Sequence, residues 1–192
     1  MFNKILYLIR KIVEIIMNLN IFLTGKSGCG KSTMINKILD SLSIEYSGYR
    51  TLSYYINGQD KGFYINGYED VEGNYSPISI KIGEKKCCGI KETFEIVGSE
   101  ILRKSRENSN IKLILMDEIG VLESDALKFK EEIIKCLNSD HLVIGVIKKK
   151  DSEFLNYIKF NKGNIIIDIE DKSNGERELI INKIITMIKN NI

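Results

Sequence analysis

The run Gly25-Lys26-Ser27-Gly28-Cys29-Gly30-Lys31-Ser32 constrains this chain more than any other feature. It fits the pattern G-x-x-x-x-G-K-S/T in full, and it lies between a short apolar run, Ile21-Phe22-Leu23, and a stretch of helical period. From Lys31 to Leu42 the apolar residues Met34, Ile35, Ile38, Leu39 and Leu42 share one helical face. A strand, a glycine loop and a helix in this order place successive backbone N–H groups and the positive end of a helix dipole around one point, which suits phosphate oxygens. Lys31 then brings a positive charge to the β and γ phosphates, Ser32 a hydroxyl for a magnesium ion, and Thr33 a contact to the α phosphate.

A second element supports the first. Leu113-Ile114-Leu115-Met116-Asp117-Glu118-Ile119-Gly120 is an apolar strand ending in two carboxylates. Such a strand is expected inside a parallel sheet, whose carboxyl edge is where open α/β folds bind ligands. Asp117 is the expected partner of Ser32 on magnesium. Glu118 is the candidate catalytic base, because a carboxylate there can deprotonate the water that attacks a γ phosphorus. Residues Gly25 to Thr33 and Leu113 to Gly120 are therefore the expected nucleotide-binding segments, with Lys31 and Glu118 as catalytic groups.

Along the rest of the chain strands alternate with helices, which implies a parallel sheet with right-handed crossovers. The pattern predicts helices over Phe94 to Glu107, Asp151 to Phe160 and Gly175 to Asn190, and strands over Leu142 to Ile147 and Asn164 to Ile169. Ser124 or Asp125 is the expected cap of a helix carrying Leu127, Phe129, Ile133, Ile134 and Leu137. Between about residues 48 and 93 the sequence becomes β-prone and glycine-punctuated. Asn57-Gly58 and Asn66-Gly67 read there as tight hairpin turns, so antiparallel hairpins added to the main sheet are expected. The fold class is α/β, a three-layer sandwich around a mostly parallel sheet with a hairpin insertion.

Residues 1–16 form a separate amphipathic extension ahead of a domain spanning 17–192. Phe2, Ile5, Leu6, Ile9, Ile12, Val13 and Ile16 recur at helical spacing, and Lys4, Arg10, Lys11 and Glu14 interrupt the roughly 18 to 20 apolar residues that a membrane span needs. Three readings stay open for it: a packed helix, a peripheral membrane anchor, or a stretch upstream of a natural start at Met17. The net charge of +2 argues against a dedicated nucleic-acid binder. Cys29, Cys87, Cys88 and Cys136 lack zinc spacing and read as reduced thiols of a cytoplasmic protein. The single histidine, His141, gives little support to a histidine-based site.

With Asp117-Glu118-Ile119-Gly120-Val121-Leu122-Glu123 in view, the chain resembles the small nucleoside-triphosphatase family first described from thermophiles, which has a human, cancer-related member. The resemblance extends through Gly48-Tyr49, Gly62-Phe63, Phe94-Glu95, Phe129, and Arg177 with Leu179, and it covers roughly Leu19 to the C-terminus. It implies a RecA-like or kinase-like core and broad hydrolysis of ATP, GTP and other nucleoside triphosphates to diphosphates. Where the family usually has arginine before Gly-Phe, this chain has Lys61. Transition-state charge then falls to Arg50, Lys61 or Lys148, and residue patterns do not choose among them.

Two other functions share these motifs. A nucleotide or nucleoside kinase uses the same loop, although the segment after Asn138 has no arginine cluster to serve as a lid. A nucleotide-controlled binding module would use the aromatics Tyr49, Tyr54, Tyr55, Phe63, Tyr64 and Tyr68, although aromatic residues on added strands more often serve the core.

Overall fold

A computed structural model describes residues 19–84 and 86–192; the expectations for residues 1–16 and for a start at Met17 lie outside them. In chain order the elements are β1 (Asn20–Thr24), α1 (Lys31–Leu42), β2 (Tyr46–Ile56), β3 (Gln59–Gly67), β4 (Ser79–Gly83) and β5 (Lys86–Gly89). A composite helix α2 follows, with a first turn Lys91–Thr93, a π-helical stretch Phe94–Gly98 and an α-helical part Ser99–Glu107. Then come β6 (Leu113–Ile119), α3 (Leu127–Leu137), β7 (Leu142–Ile147), α4 (Glu153–Phe160), β8 (Asn164–Asp168) and α5 (Asn174–Lys189).

Among the described residues six strands form one sheet in the order β3-β2-β6-β7-β1-β8, and β4 and β5 form a separate antiparallel pair. All neighbours in the large sheet run parallel except β2 and β3. One strand, β7, separates the strand before the glycine loop from the acidic strand.

Side-chain alternation along the central strands builds the three layers. On β6, Leu113 and Leu115 join Ile21, Leu23, Ile144 and Val146 under α1 and α5, where Ile35, Ile38 and Ile184 complete the packing. Ile114 and Met116 point the other way, joining Phe22, Val143 and Ile147 under α2, α3 and α4. Each fully buried aliphatic side chain contributes about 1.5–3 kcal/mol, so an apolar run without alternating polar positions is what a strand covered on both faces requires.

The hairpin region differs from expectation in three ways. First, β2 begins at Tyr46, and its first half is a regular parallel strand paired with β6 from Tyr46↔Leu113 to Arg50↔Asp117. A Cβ on Gly48, which has φ +107°, would lie 2.0 Å from the Leu115 carbonyl oxygen, so only glycine fits this joint. Second, Asn66-Gly67 is no turn. It ends β3 opposite Tyr49, with Ile101 packed so close to Gly67 that a Cβ there would lie 2.5 Å from the side chain, while Asn74 bonds both backbone polar groups of Gly67. Asn57-Gly58, by contrast, has positive φ at both residues and does turn the hairpin. Third, only β2 and β3 join the main sheet, while β4 and β5 pair with each other.

Helix α3 is preceded by Ala126 and not by a capping side chain of Ser124 or Asp125. Its free Lys128 N–H is taken instead by the Glu95 carboxylate at 3.0 Å, a donor–acceptor pair supplied across the helix interface. Helices α4 and α5 start on serine caps: Ser152 accepts from Leu155 N–H, and Ser173 forms a reciprocal box with Glu176.

Candidate active site

The carboxyl ends of β1 and β6 open on a cleft of about 340 Å³, walled at one end by Ser27, Gly28, Gly30, Lys31, Ser32 and Thr33. Gly28 and Gly30 have φ of +77° and +93°, so the loop coils in a way that side-chain-bearing residues resist. Arg177 is drawn under the loop, donating to the carbonyls of Cys29, Ile169 and Lys172. This side chain starts α5 and also ties the loop to the β8–α5 connection. Lys26 leaves the cleft to pair with Glu170. Cys29 is half-buried, with its thiol 4.0 Å from Lys31 Nζ.

Lys31 is nearly buried, and its ammonium group donates to the carbonyls of Gly25 at 3.0 Å and Lys26 at 2.7 Å. Ser32 Oγ lies 3.3 Å from Asp117 Oδ1, a contact that spans 85 residues of sequence. The other oxygen of Asp117 is 3.8 Å from the Arg50 guanidinium. Burial raises the Asp117 carboxyl above its ordinary value, against the lowering effects of the Ser32 hydrogen bond and the Arg50 charge.

Glu118 is half-exposed at the cleft and paired with Lys148 Nζ at 3.2 Å. The β6–β7 register shifts between Asp117 and Ile119, where the Asp117–Glu118 peptide is cis. Beyond it Gly120 N–H donates to Glu123, whose carboxylate is 2% exposed. Burial, only partly offset by backbone hydrogen bonds, pushes the Glu123 carboxyl up to about 7.

Of the segments expected to bind nucleotide, Leu113, Ile114, Leu115, Met116 and Ile119 stand in the core and not in the cleft. The reason is geometric: a strand buried on both faces reaches the ligand edge only with its last residues, here Asp117 and Glu118. Thr51, Phe63, Ile78, Phe94, Val121, Leu122 and Glu123 line the cleft although residue patterns did not select them as site residues, and of the three candidate cations Lys148 alone joins them. Phe94 opens the π-helical stretch, a local irregularity that often accompanies functional sites but is invisible to a search for 3.6-residue period. Of the proposed aromatic surface, Tyr49 is fully buried, whereas Tyr55 and Tyr68 are exposed.

A glycine loop at a helix N-terminus, with its lysine and serine facing an acidic strand end across one cleft, defines a P-loop nucleotide-binding protein. The family described as NTPase matches residues 20–185. The nucleoside-triphosphatase THEP1 of Thermotoga sp. (strain RQ2) is 30% identical over 177 residues, covering 90% of this chain and 97% of that protein. Its counterpart from Methanocaldococcus jannaschii is 28% identical over 179 residues, covering 89% and 100%. The crystal structure of THEP1 from the hyperthermophile Aquifex aeolicus superposes with a TM-score of 0.66 at 24% identity, over 86% of this chain and 96% of that one. The solution structure of a human cancer-related nucleoside triphosphatase gives 0.66 at 20%, over 90% and 98%. These two likenesses establish the fold. The chain belongs to the NTPase family, and among its described residues no helix is long and apolar enough to cross a membrane.

Proposed function

We propose that the chain hydrolyses nucleoside triphosphates of more than one base to diphosphate and phosphate, with magnesium, through Glu118 as general base. The observation that carries this reading is the approach of Ser32 Oγ to Asp117 Oδ1 at 3.3 Å beside the glycine loop, with Glu118 next in the chain. Two hard oxygen donors, one anionic, suit magnesium, which typically takes one or two protein ligands and fills its shell with phosphate oxygens and water. Ser32 and Asp117 would hold the ion. Bound there, magnesium supplies charge neutralisation to the phosphates.

The chain's own groups account for the rest. The loop N–H groups and Lys31 orient the triphosphate, the ammonium of Lys31 exchanging its carbonyl partners for phosphate oxygens. Glu118 accepts a proton from water as the water oxygen bonds to the γ phosphorus. The bond from that phosphorus to the β–γ bridging oxygen breaks, and its electron pair leaves with the diphosphate. All of these contacts address phosphates and water, which supports broad base specificity. The free thiols support cytoplasmic placement.

The test is phosphate release from ATP, GTP, CTP and UTP by wild-type, Lys31→Ala and Glu118→Gln proteins, with magnesium and with chelator. Magnesium-dependent release from several triphosphates is expected, reduced roughly 10²- to 10⁴-fold in Glu118→Gln. Wild-type turnover in that variant removes Glu118 as base. Release confined to one triphosphate overturns broad specificity, and phosphate appearing on an added nucleoside monophosphate replaces hydrolysis by a kinase reaction.

A further inference from the structure

Phosphoryl transfer needs positive charge at the γ oxygens, and the sequence offers Arg50, Lys61 and Lys148 for it. The fold separates the three. Arg50 spends Nε on Tyr68 OH at 2.7 Å and Nη1 on Asn36 Oδ1 at 2.5 Å, with Asp117 at 3.8 Å, so its guanidinium is committed to the side of the metal carboxylate. Lys61 bonds Gln59 Oε1 at 2.8 Å on the hairpin and does not line the cleft. Nearer the loop, Lys26 is paired with Glu170, and Arg177 has given its donors to three carbonyls. Among the described residues the cations that line the cleft are Lys31 and Lys148.

Lys148 is delivered by strand pairing. It follows the last residue of β7, and its N–H donates to Ile119 O at 2.9 Å, which sets its Cα beside the end of β6. Its stem runs past Gly120, where a Cβ would lie 3.5 Å from Lys148 Cδ and 3.7 Å from Glu118 Oε1. Its ammonium stands 3.2 Å from Glu118 Oε1.

We propose that Lys148 is a catalytic residue, the cation that meets the γ-phosphoryl oxygens as negative charge builds on them in the transition state. This deepens the hydrolysis reading and rests on it. A cation that shares the cleft and touches the base is within side-chain reach of the water which that base activates, and of the phosphorus under attack. Lysine suits the task through a flexible stem and a compact charge, and with the side chain 37% exposed its ammonium is open to the cleft. In the free protein it neutralises Glu118. As the triphosphate enters, the ammonium moves to a γ oxygen and leaves the carboxylate to accept the water proton. Lys148 keeps its own proton throughout, and the bond changes remain those given for hydrolysis. A positioned charge of this kind acts more strongly on the transition state than on bound product, because it is aimed where charge develops.

The experiment compares wild-type, Lys148→Met, Lys148→Arg, Lys61→Met and Glu118→Gln proteins in ATP turnover, in affinity for ADP, and in affinity for ADP with aluminium fluoride and magnesium, a transition-state mimic. For Lys148→Met the expected result is turnover reduced about 10²- to 10³-fold, a similar loss of affinity for the mimic, and ADP affinity within about threefold of wild type. Lys148→Arg recovers part of the rate, and Lys61→Met turns over like wild type. Full turnover in Lys148→Met alongside a slow Glu118→Gln overturns the role of Lys148 and leaves the hydrolysis reading standing. Equal losses for ADP and the mimic, without rescue by arginine, also overturn it, since they mark a structural support. No phosphate release by wild-type protein defeats the hydrolysis reading itself.

Discussion

Where β1 and β7 lie side by side in the parallel sheet, every residue from Asn20 to Thr24 and from Leu142 to Ile147 is buried. Where β2 runs past its last pair with β6 at Arg50, the same sheet becomes a two-stranded wing, and Leu52, Ser53, Tyr55 and Ile56 come to the surface. The two regions carry different duties. The parallel part must hold Ser32 on α1 and Asp117 and Glu118 on β6 in register from two distant segments, so it is packed on both faces. The wing has only to bring Thr51 and Phe63 over the cleft, and its tip extends into solvent.

Phe129 tests the joint between these regions. Its ring centroid lies 5.6 Å from that of Tyr49 on β2 and 5.1 Å from that of Phe94 in the π-helical stretch, and it is fully buried. Phe129→Ala is expected to destabilise the fold by about 3–5 kcal/mol in urea unfolding. A loss below about 1 kcal/mol would mean that wing and core are not packed as one unit.

Glu123 asks how far the dry interior reaches toward the cleft. Its carboxyl is raised from 4.5 to about 7, chiefly by burial. Below pH 4.5 it is protonated in both folded and unfolded chains and has no effect. Between 4.5 and 7 the unfolded chain gives up this proton more readily, so stability falls as pH rises, and above 7 the full penalty of about 3 kcal/mol is present. Glu123→Gln keeps an acceptor for Gly120 N–H and removes the ionisation. Measured at pH 5 and pH 8, wild-type protein should lose stability relative to the variant by up to that amount. Parallel behaviour of the two proteins would show the carboxylate to be hydrated.

The smallest effect belongs to the wing tip. Ile56 is 54% exposed, and Ile56→Ser should change stability by no more than about 0.5 kcal/mol in the same unfolding measurement. A larger loss would show the tip to be packed and weaken the contrast with the core.

Much of the parallel half was legible in the residue order. Helix α1 and strand β7 have the predicted bounds, because their apolar periods are uninterrupted and the burial they report is on their own faces. The wing was less legible. Asn66-Gly67 has turn chemistry, yet Ile101 from a helix 34 residues later presses on Gly67 and keeps it extended. The start of β2 at Tyr46 is hidden in the residue order because Ser47 and Gly48 do not read as a buried strand. They become one through Ser105, whose hydroxyl accepts from Gly48 N–H and contacts Ser47 Oγ. The cap of α3 is hidden for a similar reason, since Glu95 supplies it from another helix.

Local sequence by itself determined the glycine loop, the acidic strand end and the alternation that makes a parallel sheet, since each depends on neighbours within one turn or one strand. Only the tertiary structure decided which cation faces Glu118. Arg50, Lys61 and Lys148 are interchangeable as charges along a chain, and they differ through strand pairing: β2 carries Arg50 to Asp117, β3 carries Lys61 away, and the end of β7 sets Lys148 beside the base. Register between strands separated by tens of residues is a property of the packed sheet, and no single segment contains it.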